Sequence, residues 1–107
     1  MNLLEYYKLY PVFRMRADTE NPSEALLGEL SIMDATLRDY IPDGVDRRTE
    51  YRLTDEKEFI HLHCIEGKSV EQTADCMCIS RDTAYRIRRR LCQKEAPSPA
   101  VCFISHA

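Results

Sequence analysis

Between Arg81 and Lys94 the chain carries six basic side chains, Arg81, Arg86, Arg88, Arg89, Arg90 and Lys94, against the single acid Asp82, a local net charge of +5. The whole chain of 107 residues is at −3, so everything outside this stretch carries −8. A guanidinium is a planar fork that stays charged and matches paired oxygens on a phosphate or the O6/N7 edge of guanine. The chemistry this offers is non-covalent recognition of a polyanion. An acidic remainder repels phosphate and confines such binding to one element.

A second group of residues invites a metal reading. His61, His63, Cys64, Cys76 and Cys78 are ligand types for zinc. Their spacing argues against it, because helical residues two apart point about 200° apart, and no Cys-x-x-Cys pair is present. The cysteines are expected to fill core space, and no metal or cofactor is expected. Five cysteines, an odd number, suit free thiols better than a closed disulfide framework. No nucleophile elbow, P-loop or metalloprotease helix occurs, so an enzyme is not expected.

The arginines need a scaffold, and the stretch Gly67–Leu91 supplies one in the order of a helix-turn-helix. Ser69 with Gln72 makes a Ser-x-x-Gln capping box, and Val70, Ala74 and Met77 share the buried face of the helix it opens. Cys78-Ile79 forms the turn, where left-handed geometry costs a non-glycine residue roughly 1–2 kcal/mol. Ser80 caps the second helix, whose Ala84, Ile87 and Leu91 fall on one face at three- and four-residue spacing. The opposite face holds Asp82, Tyr85, Arg86, Arg89 and Gln93, with Arg88 and Arg90 on the flanks and Arg81 at the N-terminal edge. Arg86 and Arg89 are the candidates for bidentate bonds to guanine, and Arg88 and Arg90 for phosphates. Asp82 is placed to accept from a cytosine amino group and Tyr85 to meet a thymine methyl or a phosphate. Thr83 enters the same helix, and Lys68 and Ser69 offer phosphate contacts at the start of the preceding one.

Upstream, the pattern predicts a helix from Asn2 to Tyr10 with Leu3, Leu4, Tyr7 and Tyr10 on one side, closed by Pro11. Arg14 to Asn21 reads as a connection. Asn21 is the expected N-cap of the next helix, with Pro22 at its first position and Glu24 completing the box. Leu26, Leu30, Met33, Leu37 and Tyr40 then form a heptad-like seam, ended by Pro42-Asp43-Gly44. It is the packing face of a helical bundle or, alternatively, a homodimer contact. Val45 to Arg52 reads as a linker or frayed helix, followed by a helix capped by Thr54 that shows Phe59, Ile60 and Leu62 on its apolar face and stops at Gly67. Ala96-Pro97-Ser98-Pro99 ends the last helix, leaving a tail in which Val101–Ile104 is apolar enough to fold back.

The expected fold is all-α, a small helical domain with a C-terminal helix-turn-helix and an N-terminal helical extension. Its parts are residues 1–44, the N-terminal helical region; 45–95, the DNA-binding module; and 96–107, the tail. No apolar run approaches a membrane span, and MNLLEYYKLY lacks the layout of a secretory signal, so a cytoplasmic protein is expected.

The segment Leu53–Leu91 resembles region 4 of bacterial sigma factors and the small regulators built on that module. The resemblance rests on Leu53-Thr54-Asp55-Glu56, on Glu66-Gly67-Lys68-Ser69, on Ala74, and on Ile79-Ser80-Arg81-Asp82-Thr83. The layout of a helical N-terminal part before the module is similar to short phage and mobile-element regulators of late genes. The resemblance implies sequence-specific binding of double-stranded DNA and transcriptional regulation, with RNA polymerase as a further partner. The alternatives are a protein-interaction module that binds RNA polymerase or another protein, and a phage DNA-packaging adaptor.

Overall fold

The computed structural model describes residues 1–19 and 21–97, and these build helices without a β-strand among them. In chain order the helices are α1 (Leu3–Lys8), α2 (Tyr10–Thr19), α3 (Glu24–Arg38), α4 (Arg47–Phe59) running on into a π-helical turn (Ile60–Ile65), α5 (Val70–Met77) and α6 (Arg81–Cys92). The expected return of Val101–Ile104 lies outside the described residues.

Asn2 starts α1 through a capping box, its side chain accepting from the Glu5 amide at 2.8 Å while Glu5 accepts from the Asn2 amide at 3.2 Å. Pro11 does not close this helix. A break at Leu9 intervenes, and Pro11 sits in the first turn of α2, which continues to Thr19 through the stretch expected to be a connection. In a first turn the missing N–H has no intrahelical acceptor, so proline is tolerated there.

The start of α3 also shifts. Ser23, not Asn21, is the N-cap, with its hydroxyl accepting from the Leu26 amide at 3.1 Å, and Pro22 precedes the cap. Its seam turns inward. Leu26, Leu30 and Met33 are buried, with Leu37 and Tyr40 packed at the edge of the same core. Tyrosines from α1 and α2 cover it. The Tyr6 hydroxyl donates to Glu29 at 2.6 Å, Tyr7 to the Met33 carbonyl at 2.9 Å and Tyr10 to Asp34 at 2.8 Å. Burial comes first among the causes that push the Tyr6 and Tyr7 phenols far above their usual range, so both stay neutral donors.

The largest departure is α4. Its N-cap is Asp46, which accepts from the Thr49 amide at 2.7 Å, so the supposed linker is the first half of a helix. Thr54 lies inside that helix and turns its hydroxyl back to the Glu50 carbonyl at 2.8 Å, a bond open to any interior threonine. Beyond Phe59 the ladder widens, with the Glu66 amide reaching the His61 carbonyl at 2.9 Å. One extra residue in a turn rotates the following side chains, and Phe59, Ile60 and Cys64 all end up buried. Gly67, at φ +75°, ends the segment as expected.

One apolar core runs from Leu3, Leu4, Tyr6 and Tyr7 through Phe13, Leu30 and Met33 to Phe59, Ile60, Ala74, Ile87 and Leu91. The chain on either side of α1 and α6 is stitched together as well: the Leu3 amide donates to the Lys94 carbonyl at 2.8 Å and the Ala96 amide to the Met1 carbonyl at 3.2 Å. The helix carrying the arginines is thus held at its far end by the first residues described.

Candidate nucleic-acid interface

The turn between α5 and α6 is built by local rules. Ser69 and Gln72 cap α5 reciprocally, at 3.1 and 3.0 Å, and Ser80 caps α6 by accepting from the Thr83 amide at 3.1 Å. Between them Cys78 takes the left-handed conformation, φ 58° and ψ 42°. The Ile79 amide returns to the Ala74 carbonyl at 3.0 Å and the Cys78 amide to Asp75 at 3.2 Å, the paired bonds of a Schellman ending. Ala74 on α5 and Ala84 on α6 are both wholly buried, and only small side chains let two helices approach this closely.

On α6 the faces divide as the spacing predicts. Ala84, Ile87 and Leu91 are buried, while Asp82, Tyr85, Arg86, Arg88, Arg89 and Gln93 are exposed. No carboxylate among the described residues pairs with Arg81, Arg86, Arg88 or Arg89. Arg86 and Arg89 thus stand near the middle of the outward face with their guanidinium donors available.

The two flanks are not equivalent. Arg90, expected to hold a phosphate, instead places Nε 3.0 Å from the Glu56 carboxylate of α4. Lys94 closes on the other oxygen of Glu56 and on the Tyr40 hydroxyl, which itself donates to Glu56 at 2.7 Å. Glu56 is 1% exposed. Burial alone would push its carboxyl up, but the bonds from Lys94, Tyr40 and Arg90 outweigh that and hold it below the usual carboxylate range. A carboxylate without water needs such partners, and Arg90 is one of them. Arg90 fastens α6 to α4.

Tyr85 is also tied. Its hydroxyl donates to Glu71 Oε1 on α5 at 2.6 Å. This bond raises the Tyr85 phenol and lowers the Glu71 carboxyl. The ring, not the hydroxyl, is what Tyr85 has left to offer, and it lines an open depression of about 240 Å³ with Arg88, Arg89 and Cys92. The Thr83 hydroxyl lies 2.8 Å from that of Ser80 and belongs to the cap. Lys68 Nζ stands 3.7 Å from Glu66. The Lys68 carbonyl accepts from His63 Nδ1 at 2.7 Å, so the proton is on Nδ1 and the buried Nε2 is left without a partner. Ser69 spends both its amide and its hydroxyl on the capping box.

The residues weighed as zinc ligands have separate occupations. His61 pairs with Glu66 at 2.8 Å, Cys64 is buried with its thiol pushed up to about 12 by desolvation, and Cys76 and Cys78 are exposed. No cluster of three or more histidine, cysteine or carboxylate side chains among the described residues is placed to hold a metal.

Three helices in this order, with the third exposing its arginines, delimit a known module. Residues 48–99 match the family model of a homeodomain-like domain. The segment is a helix-turn-helix domain. The matched span begins within α4, ahead of the Leu53 start that the resemblance suggested, and the homeodomain-like description does not single out the sigma-region-4 branch. The comparison found no matching curated protein and no matching solved structure. Within the helix-turn-helix, α4 and its π-helical turn are the first helix, α5 the second and α6 the third. Sequence reasoning missed Glu56 and Glu71, whose partners Arg90 and Tyr85 lie on a different helix. It also missed the basic start of α4, where Asp46 and Thr54 are both acceptable caps. No helix of the described residues is long and apolar enough to cross a membrane.

Proposed function

We propose that this protein binds double-stranded DNA sequence-specifically by laying α6 in the major groove, and that it regulates transcription in a phage or mobile-element setting. The observation that carries the reading is the exposure of Arg86 and Arg89, unpaired among the described residues, opposite the buried Ala84, Ile87 and Leu91. Two such forks separated by one turn suit two guanines along a groove, each bidentate pair supplying about 1–3 kcal/mol of discrimination. Asp82 and Gln93 flank them as an acceptor and an amide, while Arg81, Arg88 and Lys68 stand beside the groove as phosphate contacts. Arg90 acts indirectly, by fixing the angle of α6. The regulatory role rests on the resemblance of Leu53–Leu91 to sigma region 4.

The test is a selection of bound sites from random duplexes, followed by titration of the recovered site against salt. Binding that weakens steeply as salt rises, with a shared motif among the selected duplexes, supports the reading. Retention of no duplex, or retention without any preferred sequence, overturns it. Placing the recovered site beside a reporter promoter then tests the regulatory role.

A further inference from the structure

On α4, Arg48, Arg52 and Glu56 follow one another at intervals of four and so share a face. Glu56 is buried where this face meets α6. One and two turns earlier Arg52 and Arg48 continue the same face and are exposed. Beside them Tyr51 is 66% exposed, the most exposed of the large apolar and aromatic side chains among the described residues. An open groove of about 400 Å³ joins this face to α6, lined by Arg52 and Glu56 on one side and by Arg90, Gln93 and Lys94 on the other. Gln93 belongs both to this groove and to the outward face of α6, so the two surfaces are continuous.

The charges are one-sided. In the groove three cations, Arg52, Arg90 and Lys94, meet one buried carboxylate, and Arg48 stands exposed one turn beyond Arg52. Asp46, Glu50 and Asp55 are the nearby acids, Asp46 committed as the N-cap of α4 and Glu50, two positions from both Arg48 and Arg52, on the opposite side of the helix. The bond from Arg90 Nε to Glu56 holds the guanidinium at the wall of this groove. Exposed arginines along one face of a helix are an electrostatic footprint for a phosphate backbone.

We infer that the first half of α4 is a second DNA-contacting surface, one that clamps the phosphodiester backbone flanking the site read by α6. The inference rests on the proposed DNA binding and extends its footprint. It assigns Arg48 and Arg52 to phosphates and Tyr51 to the adjoining sugar, none of them to a base. A duplex that stops at the base pairs read by α6 lacks the flanking phosphates, while one extended by about a turn, about 10 base pairs, supplies them.

The experiment compares wild-type protein with the triple variant Arg48→Ala, Tyr51→Ala, Arg52→Ala on the selected site in both lengths. On the longer duplex the variant should bind about tenfold more weakly, and the slope of log affinity against log salt should fall by about 2, for two phosphates released. On the shorter duplex the two proteins should agree within about twofold, and the preferred sequence should not change. Equal loss on both lengths, or no loss on the longer, overturns the inference while leaving DNA reading intact. Failure of the wild-type protein to bind either duplex removes both. All three side chains are exposed, and thermal melting monitors the fold. The pair Arg48→Gln, Arg52→Gln, which keeps helix propensity, gives the same readout should the alanines lower the melting temperature.

Discussion

Arg90 of α6 bonds the buried Glu56 of α4 at 3.0 Å while its sequence neighbours Arg88 and Arg89 face solvent. Three adjacent arginines thus divide between two tasks, and the division is made by which way each leaves the helix. Replacing Glu56 with glutamine removes the charge that Arg90 and Lys94 share. Both cations are partly exposed and regain water, so the expected loss is about 2–3 kcal/mol, toward the lower end for a broken buried pair. Urea denaturation measures it. The folded carboxyl lies below its unfolded value, so its contribution is present above about pH 4.3 and disappears as the pH falls through the folded pKa. The glutamine variant should show a flatter stability curve in that acid range.

Alanine at Arg86 or Arg89 should leave the melting temperature unchanged and lower affinity for the selected site by about 1–3 kcal/mol, relaxing the preference at one base position each. Alanine at Arg88 should weaken all sequences alike and reduce the salt slope by about 1. Competition binding against single-base variants of the site separates the two patterns. A reversal, with Arg88 setting base preference, would reassign the reading face.

Cys78 holds left-handed backbone at φ 58°, a conformation that costs a side chain but not a glycine. Cys78→Gly should therefore stabilise the protein by about 1 kcal/mol, a rise of roughly 4–8 °C in melting temperature for a chain of this size. Cys78→Val should lower it, because branching at Cβ makes the same backbone harder to adopt.

His63 links the π-helical turn to the Lys68 carbonyl just before α5. Burial lowers its pKa, with further lowering from the charges of Lys8 and Arg88, against an opposing bond to Lys68. The folded state thus takes up a proton less readily than the unfolded chain, whose histidine titrates near 6.5. Stability from this source is complete above about pH 6.5 and declines as the pH falls toward the folded value. Urea midpoints at pH 7.5 and 5.5 should differ for the wild type and converge in His63→Asn, whose amide can donate the same bond.

Much of the interface was legible because its signals are local. Ser69 with Gln72, Ser80, and the Ala84–Ile87–Leu91 spacing each lie within a turn or two of what they control. The start of α4 was not, since both Asp46 and Thr54 are good caps and only packing selects the earlier one. Pro11 and Pro22 misled for a related reason: a proline marks a boundary without saying on which side of it the helix lies. Arg90 was out of reach altogether, because its partner Glu56 stands 34 positions away and nothing in a helical wheel distinguishes an arginine facing a neighbouring helix from one facing a groove.

The hydrogen bond from Leu3 to the Lys94 carbonyl has a bearing on synthesis. In synthesis α1 precedes α6 and must wait for it before either is seated, since the wall of the core that Leu3, Leu4, Tyr6 and Tyr7 provide is completed by Ile87 and Leu91. Contacts this distant in sequence form late. A fragment ending before Lys94 would carry the arginines without the frame that orients α6, so the exposed arginines of α6 take their place only once α1 has docked.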